Sequence, residues 1–596
     1  MTMFSSLGGS VASTTFDVGG RNAQGGRLAA GGANAVGGAH AAGGAGTSGP
    51  CIESMCTSGG WCWLNPLPQG SSLFDVAVHD GEFWAFGDDG LVLRSDGEQW
   101  LRCPTPTTES LRGSWFDPAG ILWVVGTGGV VLSFDGNTWT QHYSEAGLFL
   151  NDIHGSSTED IWAVGNDVAL HRNGQNWTRD TLETKGSVYS VWARDTDDVW
   201  VGGTEVWHYD GTTWQAIYSK AQPARGIWGD ESGAVWMAAN DVLQCDLLGC
   251  QLTPTLVGEQ IDVWGTSSSD VWTIGTEGGM HWDGSRWTTF EVPTNMTSAS
   301  GGGPYGLVVV GYFGRIYRRE GSDWVSLRDA IGSIWTDVWG LSDDDIWIAG
   351  NSMAHFDGQS LAVASTPTEW GLLTVHGTAS DDVWAAGCNG TIIHWNGREW
   401  ADYSLSPWPQ WDLCFRSIWA ESRSSVWVAG TQGLAYHWDG YAWSAVASLS
   451  SLATSRALFG VAGALFAADD SGSLSQWTNL SWQTVATFTS EQANSVWGAS
   501  SNDLWVVGTG TIGALATHVR NGSVSQEELG ATTLTAVWGT SANDVWATGD
   551  GRLFHYDGQS LVEQPSGVHI DTSSIWVAPS GARWIVGGNG ILRHAP

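Results

Sequence analysis

Positive charge is scarce in this sequence, and long apolar runs are missing. The 596 residues hold 24 Lys+Arg against 61 Asp+Glu, a net charge of −37, so a phosphate backbone or an anionic lipid surface would be repelled across most of the molecule. Nucleic acid is therefore excluded as an expected partner. No stretch approaches the about 18 uninterrupted apolar residues of a membrane span, and the opening MTMFSSLGGSVAS has neither the basic nor the apolar region of an export signal. No G-x-S-x-G, HExxH or Walker loop occurs, nor a GxGxxG in a strand-to-helix setting, so neither an enzyme nor a bound cofactor is expected. CxxC pairs with helper histidines are also absent, which argues against zinc.

What the chain does have is apolar content of 42% with 41 Trp, ample for a large core. Residues 1–50 are set apart by a Gly/Ala-rich tract over 18–49, which cannot bury a core and reads as a flexible tether. A lipidation or signal segment upstream would account for it. The eight cysteines pair by proximity as Cys51 with Cys56, Cys62 with Cys103, Cys245 with Cys250, and Cys388 with Cys414. An even count without metal spacing favours disulfides and an oxidising compartment.

Self-comparison fixes the fold. The unit IDVWGTSSSDVWTIGTEGGMHWDGSRWTTF, 261–290, contains four short β-rich runs separated by Gly, Ser and Asp turn residues. Its second-run residue recurs as Trp84, Trp123, Trp162, Trp200, Trp236, Trp272, Val308, Trp347, Trp384, Trp427, Phe466, Trp505, Trp546 and Trp584. The period of about 38 to 39 residues is that of four-stranded propeller blades. The expectation is an all-β propeller of fourteen blades, as two seven-bladed rings over 71–330 and 331–596 or as one large ring. The last unit has only three runs, so residues 51–70, which include GGWCWLNPLP, are expected to donate its closing strand.

Recurring polar residues read as scaffold. His171, His208, His281, His355, His394, His437, His555 and His594 occupy one place in different blades, so they cannot converge on one ion and are expected to tie strands together. Four Trp fall outside the repeat and are the candidate ligand platform: Trp335, Trp370, Trp408 and Trp411, the last two in the enlarged connection SLSPWPQWDLCF. Among the acidic turns, Asp343, Asp344 and Asp345 carry charge beyond what a turn needs, and calcium is the cation they could hold.

The hairpin SFDGNTW, Ser133 to Trp139, resembles the Asp-box turn of sialidase-type propellers, one residue short. The repeat as a whole is similar to those of the photosystem II assembly factor family and of Trp-rich propellers in secreted bacterial proteins. The resemblance implies a fold. Sialidase activity would need an arginine triad, a Tyr/Glu pair and a general acid, none of which can be placed by motif. The function expected is a non-enzymatic, exported or cell-surface monomer that presents propeller loops to a protein or glycan. The alternatives are a carbohydrate-active hydrolase or lyase, and an assembly factor for a membrane complex.

Overall fold

The computed structural model describes residues 51–596 other than 53–55, 58, 68, 97–99, 167, 181, 183–185, 220–222, 231, 255–256, 302–305, 328–333, 407–413, 448–453, 479, 490–491, 531–532, 567–569 and 589. Its strands form fourteen four-stranded antiparallel sheets. Thirteen are meanders in which chain order is spatial order, as in the sixth blade: Gln260–Ser267, Asp270–Gly275, Gly279–Trp282 and Trp287–Phe290. The second strand of each blade lies between two sheets and is covered on both faces. Leu122–Gly126 and Asp160–Gly165 are therefore buried at every position, and their sequences LWVVG and DIWAVG read as near-continuous apolar runs. Trp123, Trp162, Trp200, Trp347, Trp384 and Trp584 of these strands are among the most deeply buried side chains.

Turn chemistry sets the hairpins. In the turn joining the third and fourth strands, Asp283 Oδ1 accepts the backbone N–H of Ser285 and of Arg286, each at 2.9 Å. The following Gly284 takes a φ of 86°, which a side chain would oppose. The Ser285 hydroxyl and these two N–H groups hold the Asp283 carboxyl down at about 2. The recurring histidines bind across strands: Nε2 of His171, His281, His355, His394 and His555 donates to Asp160, Asp270, Asp345, Asp382 and Asp544 at 2.7–2.8 Å. Each of these imidazoles also stacks on the second-strand Trp of its own blade.

The blades close into two rings of seven. At the end of the first ring, Thr297 Oγ1 in the seventh blade donates to Leu73 O in the first at 2.8 Å, and Ser298 Oγ donates to Asp75 Oδ1 at 3.0 Å. In the second ring, Ser574 Oγ of the fourteenth blade donates to Asp337 Oδ1 of the eighth at 2.8 Å. The fourteenth blade takes its outer strand from the front of the chain. Trp61–Asn65 runs antiparallel to Gly590–His594, pairing Trp61 with His594 and Trp63 with Leu592.

All eight cysteines are in disulfides, but two pairs differ from the proximity pairing. Cys51 joins Cys103 and Cys56 joins Cys62, while Cys245–Cys250 and Cys388–Cys414 pair as neighbours. The reason is two antiparallel bridges, Ile52 with Arg102 and Cys56 with Cys62. The first lays residue 51 beside residue 103, and the second folds 56–62 back on itself. The N-terminal segment is thus bonded to the first blade of one ring and completes the last blade of the other.

Candidate functional site

Seven first strands line the axis of each ring, and their register defines three layers. In four blades the middle layer is an aspartate at a β-bulge, with register breaks at Leu73/Asp75, Leu150/Asp152, Gln260/Asp262 and Trp335/Asp337. The bulge frees a backbone N–H that the side chain then accepts: Asp75, Asp152 and Asp262 each take the N–H of the next residue at 2.8 Å. The second carboxylate oxygen reaches the neighbouring blade. Asp152 Oδ2 accepts Val191 N–H at 2.8 Å, Asp262 Oδ2 accepts Ala299 N–H at 2.9 Å, and Asp75 Oδ2 accepts the Ser114 hydroxyl at 2.6 Å. Asp337 does the same in the second ring, with Val338 and Val375.

The next layer holds aromatic residues that lean over the adjacent blade. A Cβ added at Gly265 would meet Trp228 at 2.8 Å, and one at Gly377 would meet Trp339 at 2.8 Å. The glycine that ends the V-W-G run of one blade and the V-H-G run of the other is the floor on which the neighbour's Trp rests. In the second ring this layer is aromatic in every blade, comprising Trp339, His376, Trp419, Phe459, Trp497, Trp538 and Trp576 around a cavity of about 380 Å³. Burial pushes His376 down to about 3, so the belt carries no charge.

The first ring's channel holds one cavity of about 500 Å³, whereas the second ring's axis holds a cavity of about 150 Å³ at the level of Asp337 in addition to the one inside its aromatic belt. At its mouth stand the residues that precede the bulge: Phe74, Arg112, Asn151, Tyr189 and Arg225, with Tyr312 from a connecting turn. The Arg112 guanidinium lies 4.3 Å above the Phe74 ring, and Tyr312 meets Phe74 edge-on at 6.4 Å. Arg112 Nε is buried, and it has no hydrogen-bond partner among the described residues. Arg225 lies over the Tyr189 ring and donates to Glu259 at 2.9 Å. Asn151 spends its amide N–H on Val188 O at 2.7 Å, leaving Oδ1 as an acceptor.

Below the mouth sit the three carboxyls, which keep a little exposed surface but are enclosed by the channel wall. Desolvation raises Asp75 to about 6, Asp152 to about 8 and Asp262 to about 7, and mutual repulsion adds to the last two. Burial moves His154 the other way, to about 4, with Nδ1 accepting Ala193 N–H at 3.1 Å.

The candidate residues named from sequence are dispersed. Trp335 is 0% exposed and is no ligand platform. It begins the first strand of its blade, opposite Gly350, in the apolar slot that holds Leu73, Leu111, Leu150 and Leu372 elsewhere. Trp335→Ala is expected to lower stability by about 3–5 kcal/mol, read by denaturant unfolding. Trp370 is 56% exposed, in the connection between Leu361–Ala364 and Leu372–Ala379. Trp408 and Trp411 lie outside the described residues.

Asp343, Asp344 and Asp345 do not converge. Asp345 accepts from His355 at 2.8 Å and Asp343 from Ser580 of the fourteenth blade at 2.7 Å, while Asp344 sits against Gly358. Among the described residues no three His, Cys, Asp or Glu side chains gather into a group that could hold a metal ion. Successive turn residues project in different directions, so adjacency in sequence does not build a coordination shell. Sequence reasoning missed the channel-mouth residues. Their signal lay just before the D-V-W of the first run, where a basic or aromatic residue breaks the pattern.

No family model matches the chain, and no curated protein matches it in sequence. Solved structures do. The GH74 xyloglucanase of Xanthomonas campestris aligns over 90% of this chain and 99% of its own at 13% identity, with a TM-score of 0.54. The GH74 enzyme of Niastella koreensis aligns over 89% and 99% at 14% identity, TM-score 0.51. YCF48 from Cyanidioschyzon merolae covers 44% of this chain and 96% of its own at 17% identity, TM-score 0.37. At these identities the first two likenesses establish the propeller fold and nothing finer.

Proposed function

We propose that the protein is an exported, non-enzymatic binding scaffold that takes a protein or glycan ligand at the mouth of its first ring. One observation carries the reading. The mouth offers the buried Arg112 Nε, which has no hydrogen-bond partner among the described residues, beside the Tyr189 side chain, whereas the channel carboxylates below it have both oxygens engaged by N–H or O–H donors of the wall. A catalytic acid must be able to reach the bond it protonates. A carboxylate that staples a bulge to the next blade is already occupied, and Asp337 with the same bonds in the second ring supports a structural role. Four disulfides with no free cysteine suit an oxidising compartment outside the cytoplasm.

A second reading, a carbohydrate-active hydrolase, is favoured by the raised Asp75, Asp152 and Asp262, since acids held protonated near neutrality are what glycoside cleavage needs. The test is a glycan and protein array with the full chain, with xyloglucan included because one solved neighbour is a xyloglucanase, followed by product analysis of every hit. Ligand recovered intact is the expected result. Shortened product that disappears in Asp152→Asn would replace the scaffold with the enzyme.

A further inference from the structure

We infer that the mouth of the first ring's channel is a socket for one hexuronate unit of an acidic saccharide, its carboxylate on Arg112 and its hydroxyls towards the channel. This rests on the binding reading above and names its ligand class.

Acidic residues outnumber basic ones 61 to 24, and nine described arginines, Arg225 among them, stand in ion pairs with Asp or Glu. Arg112 has no such partner among the described residues, although it lines a cavity and its Nε is buried. Leaving the buried Nε–H without an acceptor is costly. Stacking on Phe74 at 4.3 Å also fixes its plane, which pre-sets the fork that grips a carboxylate through two parallel N–H bonds.

The surroundings select the rest of the ligand. Asn151 Oδ1 and the Tyr189 hydroxyl supply neutral polar contacts at the same mouth, suited to hydroxyl groups. Asp75, Asp152 and Asp262 beneath them have their oxygens taken by donors of the wall and offer no cation at depth, so an acidic peptide with several carboxylates fits poorly. A body rich in hydroxyls with one carboxylate at the rim matches both conditions. The volume of about 500 Å³ is within the range of small-ligand sites.

The probes are trigalacturonate and its methyl ester, which removes the charge and keeps the ring, titrated calorimetrically into the full-length protein. The acid is expected to bind at least tenfold more tightly than the ester. Arg112→Gln should abolish that difference and Arg112→Lys restore part of it, with melting temperatures confirming that both variants fold. Equal binding of acid and ester, discrimination that survives Arg112→Gln, or competition by tri-aspartate as strong as by trigalacturonate would each overturn the socket. If neutral glycans or proteins bind while the acid does not, the scaffold stands and only the ligand class falls. If nothing on the array or in the titration binds, the scaffold reading fails with it.

Discussion

A chain shortened to begin at Gln69 will lose the second ring as a cooperative unit while the first stays folded. The missing segment carries the strand Trp61–Asn65, whose Trp61 and Trp63 are 2% and 6% exposed in the core of the last blade. Losing each such Trp costs about 3–5 kcal/mol, and the backbone edge of Gly590–His594 would be left open to pairing with other chains. The sum rivals the 5–15 kcal/mol that holds a typical domain together. Limited proteolysis should release a resistant fragment over 73–326 while 335–596 is degraded. Equal resistance of both halves would show that the second ring closes without its borrowed strand. Reduction of the full chain should act in the same direction, because the Cys51–Cys103 link spans 52 residues, and a loop of that size is worth about 4 kcal/mol in the unfolded state.

The second large effect is that the first ring should be less stable at pH 8 than at pH 5. Asp75, Asp152 and Asp262 have folded values of about 6, 8 and 7, all above the roughly 3.9 of an unfolded Asp. Between those limits the folded protein holds more protons than the unfolded chain, so stability falls as pH rises. Each carboxyl contributes a slope of about 1.4 kcal/mol per pH unit across its own window. The second ring is an internal control, because at this slot it carries Asp337 alone, the other six blades having Thr374, Ser417, Ala457, Ser495, Ala536 and Ser574. Hydrogen exchange resolved by segment should show protection of 73–326 declining from pH 5 to pH 8, after correction for intrinsic rates, more than that of 335–596. Asp152→Asn should flatten the first-ring decline while lowering stability at pH 5, since the amide offers one acceptor for two backbone N–H donors. A first ring that gains stability towards pH 8 would refute the desolvated cluster.

The blades were legible because one strand per repeat is covered on both faces and one turn per repeat needs Asx-Gly. Both demands leave fixed residues, such as Trp272 and Asp283-Gly284. Trp335 was misread for a related reason. It was compared with the Trp pattern, whereas its slot asks only for apolar bulk and accepts Leu in other blades. The disulfide pairing of Cys51 and Cys62 depended on bridges made by a segment outside the repeat, where periodicity gives no guidance. The channel mouth was hidden because its residues lie one per blade, about 38 positions apart. Phe74 and Arg112 become neighbours only when strands are arranged around an axis.

The borrowed strand also sets an order of events during synthesis. Trp61–Asn65 leaves the ribosome well before its partner Gly590–His594, with thirteen blades of chain between them. At roughly 5–20 residues per second the strand waits on the order of half a minute to two minutes, while seven complete blades can assemble behind it. The bridge between Ile52 and Arg102 forms with the first of those blades. It can park the waiting strand beside folded protein, away from other nascent chains, until the last blade arrives to receive it.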